Sequence, residues 1–446
     1  MKTNEQYIKM TTKPIPSLIG GLAVPTILSM LVTNIYNMVD TAFVGLLGTS
    51  ASGAVGVVFG YMAILQAVGF MCGQGAGSVM SRKLGAQNLD GATRYSSTGF
   101  FFSFGFGLVI SIGSFLFLDP LISLLGSTKT IAPYAKTYIS YIILAAPFLT
   151  ASLTMNNLLR YEGRAKLGTI GLMTGSILNI FGDALFMFGM NMGIAGAGLS
   201  TCLSQIVSFS ILIFMFLSGK TQTKLHWKFV AKELHTYNII FTCGFPSLLR
   251  QSLASISTML LNGCSAVYGD EAVAAMSIVS RISFFVLSIA LGMGQGFQPV
   301  SSFNYGAGKY SRVRKGFWFT LFVAEILLIS IAIPVYIYAG SCVQIFRDDP
   351  TVISYAIRAL RLQCITLPAL PLTMMVEMGF QSTGQRLLAS IASSLRSGII
   401  FIPTLVFMAK WRGLAGIQEA QPLAYVLSIP FCIYFIYIFL KNMPQE

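Results

Sequence analysis

The chain has 446 residues, of which 54% are hydrophobic and only 10% are charged, and its formal net charge is +14. A soluble domain carries roughly 25% charged residues, so this composition excludes a soluble enzyme, a disordered chain and a nucleic-acid-binding protein. The positive residues stand between long apolar runs, as is typical of membrane orientation signals. Because the runs exceed the ~18 residues that a helix needs to span a bilayer, the sequence predicts an all-α polytopic membrane protein.

Twelve apolar runs, separated by polar residues or by Gly and Pro, are predicted to be transmembrane helices. They lie near residues 15–41, 51–79, 95–118, 131–158, 165–189, 194–217, 238–266, 272–302, 315–340, 352–379, 386–408 and 420–440. An even number of spans puts both termini on the same side of the membrane. Most lysine and arginine residues fall in segments on that side, so we expect cytoplasmic termini and a location in the cytoplasmic membrane.

The longest polar segment on the side of the termini, residues 218–237, lies near the middle of the chain. It separates a predicted N-terminal lobe, residues 1–217, from a predicted C-terminal lobe, residues 238–446. Trp227 and Leu234 would share an apolar face if this segment were helical. The segment is therefore predicted to be a cytoplasmic linker, either with a short interfacial helix under the bilayer or as a plain solvated loop.

The two halves are related by an internal repeat. A shift of 221 residues takes Pro25 to Pro246, Gly73-Gln74-Gly75 to Gly294-Gln295-Gly296, and Gly85-Ala86 to Gly306-Ala307. Six spans per half is an even number, so equivalent helices point the same way and the repeat is parallel. This organisation is typical of secondary transporters, which bind substrate between the two halves near the bilayer midplane. Facing catalytic residues and metal-ligand spacings are absent from the sequence, so we expect neither an enzyme nor a metal site.

Two carboxylates lie inside spans of the first half, Asp40 and Asp183. A charge within a span is costly unless it faces protein or water, which makes each one a functional candidate. With a rise of 1.5 Å per residue, both aspartates fall at a similar depth in the outer half of the bilayer. Tyr36 and Asn179 each precede an aspartate by one turn, and Thr201 reaches the same depth. Such an oxygen-rich, anionic pocket binds a proton or a small cation such as Na⁺, and it is the candidate coupling site.

The second half lacks these acids. Its spans instead carry Arg250, Arg281, Glu325, Glu377 and Arg396. A buried Arg–Glu pair there either fixes helix packing or lines the substrate cavity and selects substrate charge. The candidate substrate-cavity residues are Arg250, Gln251, Met259, Glu377 and Arg396.

Pro25 lies in the same span as Asp40 and removes one backbone hydrogen bond from it. The proline permits a bend that would link cation binding at Asp40 to the shape of the cavity. A static kink is the alternative interpretation.

Several short patterns together resemble the multidrug and toxic compound extrusion (MATE) family of bacterial efflux transporters. They are Val39-Asp40-Thr41 followed by Gly45 and Gly48, the repeated Gly-Gln-Gly and Gly-Ala pattern, the Asn179 and Asp183 pair, and Gly416-Ile417-Gln418 followed by Ala420-Gln421-Pro422. The resemblance implies a V-shaped pair of six-helix lobes and antiport of H⁺ or Na⁺ against organic cations and drugs. It also implies that Asn156 joins the acidic network of the N-terminal lobe.

The sequence therefore predicts a secondary active antiporter that exports organic or multidrug compounds. The coupling ion is H⁺ or Na⁺, no cofactor is expected, and the partners are small amphipathic organic substrates and membrane lipids. We expect a monomer that binds no nucleic acid. The alternatives are a flippase for a lipid-linked saccharide or another amphipathic lipid, and a channel.

Overall fold

The computed structural model describes residues 2–444, and within that range it contains helices and turns but no strands. The first half forms α1 (Lys2–Thr12), α2 (Ile15–Gly45), α3 (Thr49–Gly85), α4 (Leu89–Leu116), α5 (Leu118–Leu124), α6 (Ala132–Tyr161), α7 (Ala165–Asp183) and α8 (Ile194–Leu217). The second half forms α9 (Leu234–Ala266), α10 (Asp270–Gly306), α11 (Tyr310–Ile337), α12 (Ala339–Gln344), α13 (Pro350–Thr366), α14 (Ala369–Thr383), α15 (Arg386–Ser394), α16 (Phe401–Arg412) and α17 (Leu414–Lys441). Turns of π-helix follow α7 (Ala184–Gly189) and α15 (Leu395–Ile399).

Eleven helical segments are long and apolar enough to cross a membrane, among residues 2–444. The pair α13 and α14, which are bent by 56° at their junction, gives a twelfth if it forms one span. The prediction of an all-helical, multi-pass membrane protein is confirmed.

The bend between α13 and α14 interrupts the predicted span 352–379. It falls at Pro368, whose repeat partner Pro147 lies inside the continuous helix α6. The second half has a further proline, Pro371, within the next turn, where the first half has Thr150. Two prolines in one turn remove two helical hydrogen bonds instead of one, which explains why only the second copy breaks.

Helix boundaries follow the internal repeat. The helices α10, α11, α12 and α15 each begin 221 residues after α3, α4, α5 and α7, respectively. Even the short α5 has its counterpart in α12. The duplication read from the sequence is therefore present in the fold as two sets of helices with matching order and starting positions.

The chain forms two compact units that do not coincide with its two halves. Unit 1 comprises residues 2–13, 28–248 and 302–308, and unit 2 comprises the remaining described residues. The first part of α2 thus belongs to unit 2, and the first part of α9 belongs to unit 1. Both changes of unit fall two residues after a proline, Pro25 in α2 and Pro246 in α9.

Each unit has its own apolar core. In unit 1, buried side chains, most of them from α3 and α6, form a cluster, and in unit 2 a separate cluster is built mainly from α10, α13 and α17. Within unit 1, α9 approaches α3 very closely. A Cβ atom at Gly75 would stand 2.1 Å from the Ile240 carbonyl oxygen, and one at Gly244 would stand 1.9 Å from that of Met71. Only glycine permits this backbone contact, which explains one copy of the Gly-Gln-Gly pattern.

The interfacial helix considered for 218–237 is not formed. The segment contains one short turn of 3₁₀-helix, Trp227–Phe229, and α9 begins at Leu234. We call residues 218–233 the central strap. The strap belongs to unit 1.

The strap is not helical because its backbone bonds to side chains distant in the sequence. The buried carboxylate of Glu162, in the turn between α6 and α7, accepts hydrogen bonds from the N–H groups of Gln222 at 3.1 Å and Thr223 at 2.9 Å. The Thr223 hydroxyl also donates to this carboxylate. Charged acceptors form strong hydrogen bonds, so these contacts outweigh the weak helical preference of a short polar segment.

Candidate functional site

The two span carboxylates of unit 1 lie together. Asp40 lies five residues before the end of α2, and Asp183 is the last residue of α7. Their side chains are within hydrogen-bonding reach of each other, and both residues are buried, with relative exposures of 7% and 0%. An ionised carboxylate only accepts hydrogen bonds, so two ionised carboxylates this close would repel each other and a proton or a cation between them would be stabilising.

Asn179 connects Asp183 to α8. It lies one turn before Asp183 on the same face of α7, and its Nδ2 group is 3.4 Å from Asp183 Oδ1. The same group lies 3.2 Å from both Ser200 Oγ and Thr201 Oγ1. The structure therefore brings together Asn179, Asp183 and Thr201 at one level, and it adds Ser200, which sequence reasoning did not select.

Two tyrosines complete the polar cluster. Tyr36 is buried and interacts electrostatically with both aspartates. Tyr138 of α6 is 1% exposed and lies within interaction range of Asp40 and Thr201. Sequence reasoning missed Tyr138, although its depth was a usable signal. It lies about two turns into α6, as Thr201 lies about two turns into α8.

Acceptors outnumber donors in this cluster. Within the part of the chain that the structure describes, Asp40 Oδ1, Asn179 Oδ1 and Asp183 Oδ2 are buried and have no hydrogen-bond partner. A buried oxygen without a donor is unfavourable by about 1–3 kcal/mol. The chemistry of three such oxygens fits a proton or a hard, oxygen-preferring cation.

The backbone also changes at this point. The helix passes from α to π geometry directly after Asp183, over Ala184–Gly189. Single turns of π-helix are frequent at functional sites because they interrupt the regular pattern of hydrogen bonds.

Asn156, added by the family resemblance, is not part of the cluster. It packs against Gly168, in the first turn of α7, whereas Asp183 ends that helix. Fifteen residues of helix separate Gly168 from Asp183, about 22 Å at the usual rise. Tyr138, which belongs to the cluster, lies near the start of α6, and Asn156 lies near its end. Asn156 is therefore at the opposite end of α6 from the cluster.

In unit 2 the candidate cavity residues form a different kind of group. Arg250 of α9 and Glu377 of α14 make an ion pair, with residue exposures of 5% and 4%. Arg396, in the π-helical turn after α15, is half-buried and close enough to act on the charge of Glu377. Gln251 is half-buried beside Arg250, while Met259, 73% exposed, lies about two turns further along α9. The structure thus brings Arg250, Glu377 and Arg396 together.

Unit 2 contains no copy of the acidic cluster at the equivalent positions. Leu261, the repeat partner of Asp40, is 3% exposed and packs in the apolar core. The partner of Asp183 is Thr404. The acidic cluster is therefore present in only one of the two repeats at these positions.

A model of the MatE family matches residues 25–185 and 246–407. The two matched segments cover most of the chain and begin at the repeat-related Pro25 and Pro246. The chain belongs to the MatE family. The resemblance noted in the sequence is confirmed, and the two matches correspond to the two copies of the repeat.

Curated relatives and solved structures agree with membership of the MatE family. The multidrug export protein MepA of Staphylococcus aureus (strain MRSA252) is 25% identical over 415 residues, covering 93% of this chain and 92% of MepA. MepA of Staphylococcus saprophyticus is 24% identical over 417 residues, with the same coverage.

Among solved structures, an outward-facing multidrug resistance MATE family transporter of the MOP superfamily has a TM-score of 0.91. It is 23% identical, and the match covers 97% of this chain and 99% of that one. A MOP superfamily transporter from Pyrococcus furiosus also has a TM-score of 0.91, at 22% identity, over 98% and 100% of the two chains. At this identity the likeness establishes the fold.

Proposed function

We propose that this MatE-family protein is a secondary active antiporter that exports small amphipathic organic compounds, driven by inward movement of H⁺ or Na⁺. The observation that carries the proposal is the buried pair Asp40 and Asp183, each of which has one oxygen without a donor, as does the neighbouring Asn179. Two ionised carboxylates within hydrogen-bonding reach repel each other, so the site favours a bound proton or cation. The relatives described as multidrug export proteins support the direction of transport and the substrate class.

The coupling step is the filling and emptying of this site. A bound proton or Na⁺ lets the carboxyl groups of α2 and α7 remain in contact, and its loss makes them repel. Tyr138, on α6, and Thr201, on α8, would sense this change through their contacts with the cluster. If substrate binds best to the empty state, substrate and cation weaken each other's binding by the same factor, as linkage requires.

We propose that Pro25 converts that change into a bend of α2. The helix contributes residues before position 28 to unit 2 and the residues after it, including Asp40, to unit 1. The missing hydrogen bond at a proline lowers the resistance of a helix to bending. We expect α2 to change its curvature near Pro25 when the Asp40 site is filled.

The charges of unit 2 are proposed to influence which substrates are accepted. Arg250 and Glu377 neutralise each other, so Arg396 gives this group a net positive charge. Gln251 and the adaptable Met259 would add polar and apolar contacts. We expect this cavity to accept substrates that carry an anionic group as well as cations.

The protein is proposed to act as a monomer in the cytoplasmic membrane, with both termini cytoplasmic. The flippase alternative finds no support in the comparisons, because the curated relatives are described as multidrug export proteins. A channel would instead pass ions only down their gradient, without dependence on substrate exchange.

The experiment measures substrate-stimulated ion flux in proteoliposomes, with pH and Na⁺ gradients imposed separately. Asp40→Asn and Asp183→Asn are each expected to lower gradient-driven transport about tenfold or more, within the usual range of coupling energies. The gradient that sustains wild-type transport identifies the coupling ion.

The matched control is Asp119→Asn, which removes an exposed carboxylate that pairs with Lys136 outside the site. Its transport should equal that of the wild type. Wild-type rates in both Asp40→Asn and Asp183→Asn would reject the coupling site.

A further inference from the structure

The central strap is fixed along α4 as well as at Glu162. The Ser97 hydroxyl donates to the carbonyl of Lys224 at 2.7 Å. The Thr98 hydroxyl oxygen accepts from the N–H of Ala231 at 2.9 Å. The strap therefore presents a defined surface, unlike a plain solvated loop.

That surface is strongly basic. Thr223, Leu225 and Ala231 are buried against the rest of unit 1, whereas the lysines of the strap are exposed. These lysines recur every four residues, at Lys220, Lys224, Lys228 and Lys232. Glu233, the next residue, is paired with Arg94 at 2.6 Å. Among the described residues, none of the four lysines forms an ion pair, so their charge is not neutralised within the protein.

Exposed aromatic side chains stand among these lysines. Trp227 is 69% exposed and Phe229 is 42% exposed. The ring of Trp227 packs edge-on against Phe101 of α4, with 5.1 Å between ring centroids. At this point the sequence of α4 changes from polar residues, 96–98, to the apolar run 100–102. Trp227 therefore lies at the depth where an apolar span meets water, the usual place of tryptophan in membrane proteins.

A second group of cations borders the strap. Lys9 of α1 is near Lys13, Arg164 and Lys166, and burial together with these positive neighbours lowers the pKa of Lys9. The Gln6 side chain holds α1 to the turn between α6 and α7 by donating to a backbone carbonyl of that turn at 2.8 Å. That turn also carries the carboxylate that anchors the strap. The two basic groups thus adjoin each other in unit 1.

We propose that the central strap is a binding site for anionic phospholipids of the adjoining leaflet. The exposed lysines would bind lipid phosphates, and Trp227 and Phe229 would insert at the level of the glycerol groups. A row of unneutralised lysines is complementary to an anionic surface, and each basic residue near such a surface favours binding. Exposed tryptophan and phenylalanine beside lysine are the side chains that interfacial segments use.

The three tryptophans of the chain make this site measurable. The double variant Trp318→Phe and Trp411→Phe leaves Trp227 as the sole reporter. The variant is reconstituted in phosphatidylcholine containing increasing amounts of brominated phosphatidylglycerol or brominated phosphatidylcholine. Quenching of Trp227 by the anionic lipid is expected at about tenfold lower mole fraction, because several cations act together.

Replacing the four strap lysines by glutamine in the same background should make the two lipids quench equally. Replacing them by arginine should retain the preference. The variants are compared only after their melting temperatures in detergent are found to match that of the parent. If the glutamine variant fails this check, the lipid preference of the parent and of the arginine variant still decides the proposal.

The matched control retains Trp411 alone, through Trp227→Phe and Trp318→Phe. Trp411 is also 69% exposed, and its neighbour Arg412 is paired with Glu419. We expect no preference for anionic lipid at Trp411. Equal quenching of Trp227 by both lipids, or its quenching by neither, would overturn the proposal, and this optical result does not depend on transport.

Discussion

Glu162 is a fully buried carboxylate outside the membrane spans. Burial raises its pKa, while hydrogen bonds from Thr223 and Gln222 and the charge of Arg164 partly oppose the rise. Its native pKa therefore lies above the value of about 4.5 that it has when exposed. A group of this kind contributes its full stability below pH 4.5 or so, and that contribution is lost as pH rises through the native pKa.

Glu162→Gln should remove this pH dependence. The variant loses an acceptor for one strap N–H, at a cost of about 1–3 kcal/mol, but it gains no charge as pH rises. The difference in apparent melting temperature between the wild type and the variant is therefore expected to shrink from pH 4.5 toward pH 8. Thermal unfolding in detergent measures it.

The control for this prediction is Glu233→Gln, which changes an exposed carboxylate at the end of the same strap. Its difference from the wild type should not vary with pH in the same direction. If the melting temperatures of the wild type and Glu162→Gln changed with pH in parallel, protonation of Glu162 would not be coupled to stability.

The residues of the acidic cluster were largely predictable because charges in apolar spans are rare. Helical rise alone placed Asp40, Asp183 and Thr201 at one depth, and the structure joins them. Tyr138 was missed because tyrosine is also a common packing residue, so that its hydroxyl gives a weak signal. Asn156 came from resemblance alone, and its depth at the far end of α6 argues against the site.

At the level of helices, the contact between α3 and α9 depends on the absence of side chains at two glycines. Gly75→Ala and Gly244→Ala each place a Cβ about 2 Å from a backbone oxygen, so the helices must separate. Overpacking of this kind costs about 1–3 kcal/mol. We expect a lower melting temperature in detergent for each variant.

The matched substitution is Gly113→Ala in α4, where a Cβ would meet nothing within 4 Å. Alanine is favoured over glycine inside a helix by roughly 0.5–1 kcal/mol, so this variant should be unchanged or slightly more stable. Equal melting temperatures for all three variants would mean that α9 can move away from α3 without a loss of stability.

Spans could be assigned from the sequence because their signal is local. The strap could not, because its conformation depends on Glu162, 60 residues away from Gln222, and on Ser97, 127 residues away from Lys224. Local periodicity left a short helix and a solvated loop both open in this segment, and distant hydrogen bonds fix it as a non-helical strap. The bend at Pro368 was partly predictable. The sequence shows both Pro368 and Pro371, but it does not show that together they break the helix.

For the whole molecule, the repeat predicts two consecutive halves, whereas packing exchanges segments between them. Residues 14–27 pack in unit 2, and residues 234–248 and 302–308 pack in unit 1. Close helix contacts such as that of Gly75 with α9 are available only after both halves exist. Periodicity reports which face of a helix is apolar, but not which of two similar partners covers it.

Fragments 1–219 and 220–446 should therefore depend on each other. A fragment ending at Gly219 lacks the part of α9 that covers Gly75, and it leaves Gln74 of α3 without Ser247, its partner at 2.6 Å. We expect each fragment alone to be degraded or to aggregate in the membrane, since it exposes surface that unit 1 or unit 2 buries. Co-expressed fragments should copurify through a tag on either one and restore substrate-driven ion flux.

As a control, the full chain carrying a protease site after Gly219 should stay associated once it is cut. A monodisperse, thermally stable fragment 1–219 would show that its contacts with residues 234–248 contribute little, and that the two consecutive halves fold as separate bodies.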